Sequence, residues 1–263
     1  MVLILYSLIN TYPLLWMVLN SFKTEKEFSL NPFSLPTVWH WENYKEAWRV
    51  ANLGLYFSNS MRVSVLATVL TVLLGALASY FLSRFEFRWK KWVSALFLFG
   101  MLVPVHAMLV PMFILMQKLG ILNTLWALLF PYIAFNLPIT IFILSSFMEA
   151  FPKDIEESAV MDGCGVLRIF WSIILPMSRP ALATVTILNF INHWNEFAFA
   201  LVLINRSELK TVPLGLANFA GEYSTNYVVQ MAGLTMALLP VVIIYLFLEK
   251  YLVKGMTAGA VKG

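Results

Sequence analysis

Six stretches of this 263-residue chain contain no Asp, Glu, Lys or Arg: residues 1–22, 63–83, 92–117, 119–148, 180–195 continued by 197–205, and 223–248. The hydrocarbon core of a bilayer takes about 20 consecutive apolar residues to cross as a helix, so each stretch is a candidate crossing. None alternates apolar and polar residues as a membrane barrel strand must, and continuous runs such as VSVLATVLTVLLGALASYFLS predict helices. Hydrophobic residues make up 60% and charged residues 12% of the chain, against about 45–50% and 25% in soluble domains. The expectation is an all-α integral membrane protein, one transmembrane domain over residues 1–263. Its six spans are placed near 1–22, 58–83, 92–117, 122–147, 180–205 and 226–250. The polar intervals 23–56, 149–178 and 206–222 are each too short to hold a core of their own.

The apolar start has no basic leader and no small-residue cleavage pattern, and is read as a retained first helix rather than a signal peptide; a short basic leader ahead of it is also consistent with the abrupt beginning. Cys164 is the single cysteine and excludes an internal disulfide. The run RFEFRWKK, residues 84–91, packs four positive charges into a short loop against two spans, which places that loop in the cytoplasm. An even number of spans then puts both termini there too. In the outer interval, Pro32 and Pro36 precede Trp39, Trp41, Tyr44 and Trp48, a pattern for a short interfacial helix that anchors at the membrane surface or meets an external partner.

Residues 151–180 read FPKDIEESAVMDGCGVLRIFWSIILPMSRP. Pro152 suits a helix start, and Asp154, Glu156 and Glu157 fall in the first turn, where the helix dipole favours acids. Gly163 and Gly165 permit a break, and an apolar helix resumes before Pro176 ends or bends it. A cytoplasmic helix, turn and helix over 150–178 is expected. The spacing Glu157, Ser158, Ala159, three residues, Gly163, nine residues, Ile173, one residue, Leu175, Pro176 resembles the EAA loop of ABC importer permeases. It departs from that pattern at Ser158, where alanine is usual. YPLLWMVLNSFKTEKE near the start, NHWNEFAFALVLI in the fifth span and the ending KYLVKGMTAGAVKG resemble the second permease subunit of maltose-type carbohydrate importers. The resemblance implies a heterodimer with a second permease subunit, two cytoplasmic ATPase subunits docked on the EAA loops and an extracytoplasmic sugar-binding protein. It places the chain in the cytoplasmic membrane of a bacterium or archaeon, among lipid and with no nucleic acid.

A chain that hydrolysed ATP would need a phosphate-cradling loop such as G-x-x-x-x-G-K-[ST], and there is none. No cofactor and no enzymatic step are expected, and the energy must come from another chain. Glu156, Glu157 and Asp162 offer charge-assisted hydrogen bonds to an ATPase surface, while Ser158, Ala159 and Gly163 are small enough for backbones to approach. The small residues after Lys254 suggest a flexible tail that could touch the same subunits. Within NFINHWNEF, residues 189–197, the side chains of Asn189, Asn192, His193 and Glu196 share one helical stripe, with Asn195 off it. Lipid would penalise them, so they line a solute path or join helices by hydrogen bonds. Pro104, Pro111, Pro131, Pro138 and Pro240 predict kinks. His193 and Glu196 alone make no metal site. Rival readings are an importer for glycerol phosphates or polyamines, a channel, and an intramembrane enzyme.

Overall fold

The computed structural model describes residues 2–50, 52–222 and 226–260. Described secondary structure is helical throughout: α1 (Val2–Asn20), α2 (Glu25–Leu30), α3 (Glu42–Val50), α4 (Leu53–Arg84), α5 (Lys90–Gly100), α6 (Leu109–Lys118), α7 (Leu125–Glu149), α8 (Asp154–Met161), α9 (Val166–Ile169), α10 (Leu175–Met177), α11 (Arg179–Asn195), α12 (Ala198–Leu203), α13 (Val212–Glu222) and α14 (Tyr227–Ala260). Short 3-10 turns lie at Val105–Met108 and Ser207–Leu209, and a π-helical turn at Phe170–Ile174.

Three helices are long and apolar enough to cross a membrane unbroken: Leu53–Arg84, Leu125–Glu149 and the Tyr227–Glu249 part of α14. At 1.5 Å per residue, the 32-residue α4 is about 48 Å long. The count rises to five if each of two bent pairs is one span, and the apolar Ile4–Asn20 helix, at the first expected span, is shorter than these. The expected span 92–117 is two helices meeting at 94°, because Pro104 removes a backbone donor just after Gly100 and residues 101–103 turn instead. The stretch 180–205 is likewise interrupted, at Glu196 and Phe197. Pro131, Pro138 and Pro240, by contrast, sit inside unbroken helices. Backbone helix continues to Ala260, where a flexible tail is expected; extending a helix already nucleated costs little through Ala258 and Ala260. Residues 261–263 lie outside the described residues.

The chain divides into two compact units. The first holds residues 1–61 and 205–242. Phe22 is its aromatic hub, with ring centroids of Trp39, Trp41 and Tyr44 within 5.0 Å. The interfacial helix starts only at Glu42, so Tyr44 and Trp48 lie on it while Trp39 and Trp41 precede it, exposed. Lys23 is fully buried and donates through Nζ to Asn31 O (3.0 Å) and Ser34 Oγ (3.3 Å); burial pushes its ammonium below the usual lysine range, with Glu27 pulling the other way. Asn59 donates to Glu208 O and Lys210 O, and Ser60 Oγ accepts from Val212 N, which stitches the start of α4 to the segment entering α13.

The second unit holds residues 62–204 and 243–263. Here α4, α7 and α11 pack around small residues. A Cβ at Gly75 would lie 2.6 Å from Thr140 Cγ2, so only glycine lets α4 approach α7 at that level. Ser79 Oγ donates to Ile141 O one turn further on. At the end of the same helices an apolar cluster of Ala76, Tyr80, Leu144, Met148, Ala159 and Phe170 seats α8. Beyond it, Lys90 holds the exposed Glu86 carboxyl below the usual range through an i, i+4 hydrogen bond.

Candidate functional site

Residues 189–200 form a helix, a break and a second short helix. α11 ends at Asn195, Glu196 is extended (φ −66°, ψ 126°), and α12 begins at Ala198. A break here strands backbone N–H groups that lipid cannot satisfy. The Glu196 carboxylate meets them: Oε1 accepts from Phe199 N at 2.7 Å and Oε2 from Ala200 N at 3.2 Å, while Tyr132 Oη donates to Oε2 at 2.8 Å. Negative charge at the N-terminus of α12 is also favoured by its dipole.

The four stripe residues have different neighbours. Asn189 and His193 are buried. Asn189 Nδ2 donates to Thr140 Oγ1 (2.8 Å) and to Val185 O (2.7 Å). His193 Nε2 donates to Tyr132 O at 3.1 Å, Nδ1 shares a hydrogen bond with Thr68 Oγ1 at 3.0 Å, and its ring lies nearly parallel to that of Tyr132. These two side chains join α11 to α7 and α4. Asn192 is exposed and donates to Asn136 Oδ1 at 2.9 Å. Asn192 and Glu196 line a cavity of about 270 Å³ with Tyr132, Asn136, Phe135 and Phe199. Asn195 is exposed elsewhere on the helix.

Tyr132, Asn136, Thr140 and Thr68 complete this polar region and were not singled out by the sequence. A signal existed for three of them. Tyr132, Asn136 and Thr140 recur every four residues in an otherwise apolar span, one helical face. They are uncharged, so a scan for ionisable residues passes over them. Thr68 carries no comparable pattern.

The second region is the interval after α7. α8 ends in a turn with Gly163 at φ +78°, where Gly163 N donates to Val160 O and Cys164 N to Ala159 O, both at 2.9 Å. Among the described residues other than its chain neighbours, no atom lies within 4 Å of where a Gly163 Cβ would be, so its glycine is required by the backbone and not by crowding. The helix that resumes at Val166 passes through the π turn just before Pro176, whose missing N–H already interrupts the regular ladder, and bends by 79° into α11. Glu157, Ser158, Asp162 and Gly163 are exposed and Ala159 is buried. Glu156 faces inward: Arg84 Nε lies 2.6 Å from Oε1, and Tyr80 Oη donates to Oε2 at 3.2 Å. Large apolar side chains are exposed on the same interval, Met161 being 87% exposed with Val160, Val166 and Leu167 near it in sequence. Among the described residues no three His, Cys, Asp or Glu side chains are placed to hold a metal ion.

The chain is similar over 99% of its length to the probable ABC transporter permease protein YurM of Bacillus subtilis, at 42% identity and covering 87% of that protein. It is 39% identical to the diacetylchitobiose uptake system permease protein NgcG of Streptomyces coelicolor, across 98% of this chain and 86% of the relative. A solved bacterial ABC transporter involved in import of the acidic polysaccharide alginate superposes with a TM-score of 0.82 at 26% identity, covering 95% of this chain and 93% of that one. Residues 71–258, which carry both the broken helix and the interval after α7, match the family model of the binding-protein-dependent transport system inner membrane component, and the chain belongs to that family.

Proposed function

We propose that this chain is the membrane-spanning permease subunit of an ATP-driven importer whose solute is a carbohydrate, passed by alternating access from an extracytoplasmic binding protein to the cytoplasm. The observation that carries the solute class is the cavity at the helix break. Asn136 and Asn192 present amides, Tyr132 a hydroxyl and Glu196 a carboxylate, between the rings of Phe135 and Phe199. Amide and carboxylate groups exchange hydrogen bonds with hydroxyls, and aromatic faces pack on sugar rings. No Lys or Arg lines this cavity, which disfavours a phosphate-bearing solute. The relative NgcG is named for the uptake of an oligosaccharide. The test is uptake by the complex in proteoliposomes, with its binding protein present and labelled diacetylchitobiose, maltose, glycerol 3-phosphate and putrescine as probes. Import of at least one sugar and of neither charged probe is expected; import of glycerol phosphate or putrescine alone would overturn the carbohydrate reading.

In this reading α8 and the turn at Gly163 dock on a cytoplasmic ATPase subunit. The exposed Glu157 and Asp162 meet basic groups there and the exposed Ser158 and Gly163 allow close approach, while Glu156 and Ala159, which face inward rather than toward a partner, anchor the loop from within. Asn189 and His193 hold the wall of the solute path that Asn192 and Glu196 face. The apolar surface left open on α1 and α14 is covered by lipid and by the second permease subunit. Both termini and the 84–91 loop are cytoplasmic in a bacterial or archaeal inner membrane. Reporters active only in the cytoplasm should work when fused after Lys91, Gly165 and Lys262 and stay silent after Asn218; the inverse pattern would place α8 on the wrong side for an ATPase.

A further inference from the structure

Two of the ion pairs among the described residues, Lys90–Glu86 and Arg206–Glu208, join near neighbours in sequence and include exposed partners; pairs of that kind contribute little. Arg84–Glu156 is different. It joins the last turn of α4 to α8, with side chains only 5% and 15% exposed. Among the described residues Arg84 Nε and Nη2 and Glu156 Oε1 are buried without a hydrogen-bond partner, so Nε and Oε1 meet as an ion pair. Burying two charges is costly, and such a pair is weak evidence for stability, although removing one partner alone is strongly destabilising. Its best-attested use is to fix the register of one element on another.

The surrounding contacts favour that use. Arg84 Nη1 also donates to Phe151 O at 3.1 Å, and its guanidinium stands 6.0 Å from the centroid of the Phe151 ring, so one side chain holds the α7–α8 linker as well as α8. Tyr80, one turn earlier on α4, holds the other Glu156 oxygen. The remaining α8 seat is apolar, through Ala159, and apolar packing is non-directional and lets helices slide. Glu157, the next residue, is exposed. Neighbouring carboxylates therefore face opposite ways, one toward the outside of the loop and one toward α4. Sixteen residues before Arg84 on the same helix, Thr68 bonds to His193 on α11.

We propose that Arg84 and Glu156, with Tyr80, are positioning residues that lock α8 to the end of α4, so that movement imposed on α8 reaches α4 and through Thr68–His193 the helix that lines the cavity. The proposal rests on the reading of α8 as the ATPase-docking helix. The experiment uses the reconstituted complex with Cys164 replaced by serine and Asn192→Cys as a reporter of cavity exposure. The readout is the rate of labelling by a water-soluble maleimide, without nucleotide and after trapping with ATP and vanadate. With the ion pair intact, trapping changes the labelling rate. In Arg84→Gln the ATPase subunits should still co-purify while the change shrinks on the order of tenfold, within the range of coupling between distant sites. Because a lone buried charge can unfold the region, the double variant Arg84→Met/Glu156→Leu, which replaces the pair by apolar side chains, is measured beside it; it too should lose the change. A nucleotide-dependent change of normal size in the double variant, or loss of the ATPase subunits from both variants, would overturn the proposal. Failure of the docking reading shows separately, as normal co-purification of the ATPase subunits and normal uptake in Gly163→Asp.

Discussion

Gly163→Asp should reduce transport to background while the protein inserts and folds as before. The positive φ of +78° is a conformation that L residues resist, at a cost of roughly 1–2 kcal/mol, less for Asp. Domains hold about 5–15 kcal/mol of stability, so the strain alone does not unfold the chain. Among the described residues other than its chain neighbours, nothing lies within 4 Å of the Cβ position, so the new side chain has room. What the carboxylate alters is therefore the exposed surface of the turn, where it adds bulk and a second negative charge beside Asp162. Under the proposed docking of this loop, that surface is the one an ATPase subunit would meet. The check is co-purification of the ATPase subunits together with uptake, with Gly165→Ala as a neighbour that should behave as wild type because its φ is −74° and its Cβ position is open. Normal co-purification and normal uptake in Gly163→Asp would remove the docking role from this turn.

Glu196→Gln should lower the yield of extracted complex well below that of Asn192→Ala, although the shape of the side chain is kept. Glu196 accepts from Tyr132 Oη, Phe199 N and Ala200 N, among others. Glutamine offers one acceptor oxygen and turns an amide toward the remaining donor. A buried donor left unmet costs about 1–3 kcal/mol, more when the lost partner was charged. Asn192 is exposed and donates to Asn136, so its loss can be made good by water. Asn192→Ala should leave yield unchanged and reduce uptake, with the exposed Asn195→Ala as control for both readings. Yield and thermal midpoint in detergent decide the first statement and sugar uptake the second. Equal yields for Glu196→Gln and Asn192→Ala would mean that the carboxylate does not hold the break.

These two sites differ in how much of them the sequence displays. At the loop, the acidic first turn, the paired glycines and the two prolines are local features, and local features set where a short helix starts, turns and resumes. The inward turn of Glu156 is not local. Glu156 and Glu157 are the same residue type at adjacent positions, and only the arrival of Arg84 and Tyr80 at one side of α8 separates an internal anchor from an exposed charge. At the cavity, the stripe of Asn189, Asn192, His193 and Glu196 is visible from spacing alone, but what each of the four meets is not. Asn189 and His193 meet α7 and α4, and Asn192 and Glu196 meet the open cavity.

The sequence by itself determined the class of the molecule, because about 20 uncharged apolar residues in a row can be satisfied in a bilayer only as a helix and no partner can change that. It also determined which residues share a helical face, since that follows from 3.6 residues per turn. Tertiary structure alone decided where those helices break and what each face meets. A break at Glu196 is tolerable only because its own carboxylate covers the freed N–H groups and Tyr132, 64 residues away in the chain, fixes that carboxylate in place. The near right angle between α5 and the Val105–Lys118 segment sits at Pro104, yet Pro131, Pro138 and Pro240 leave their helices unbroken. Proline removes a hydrogen bond in every case; whether the helix then turns or continues depends on what packs against it, and that is fixed by residues far away in sequence.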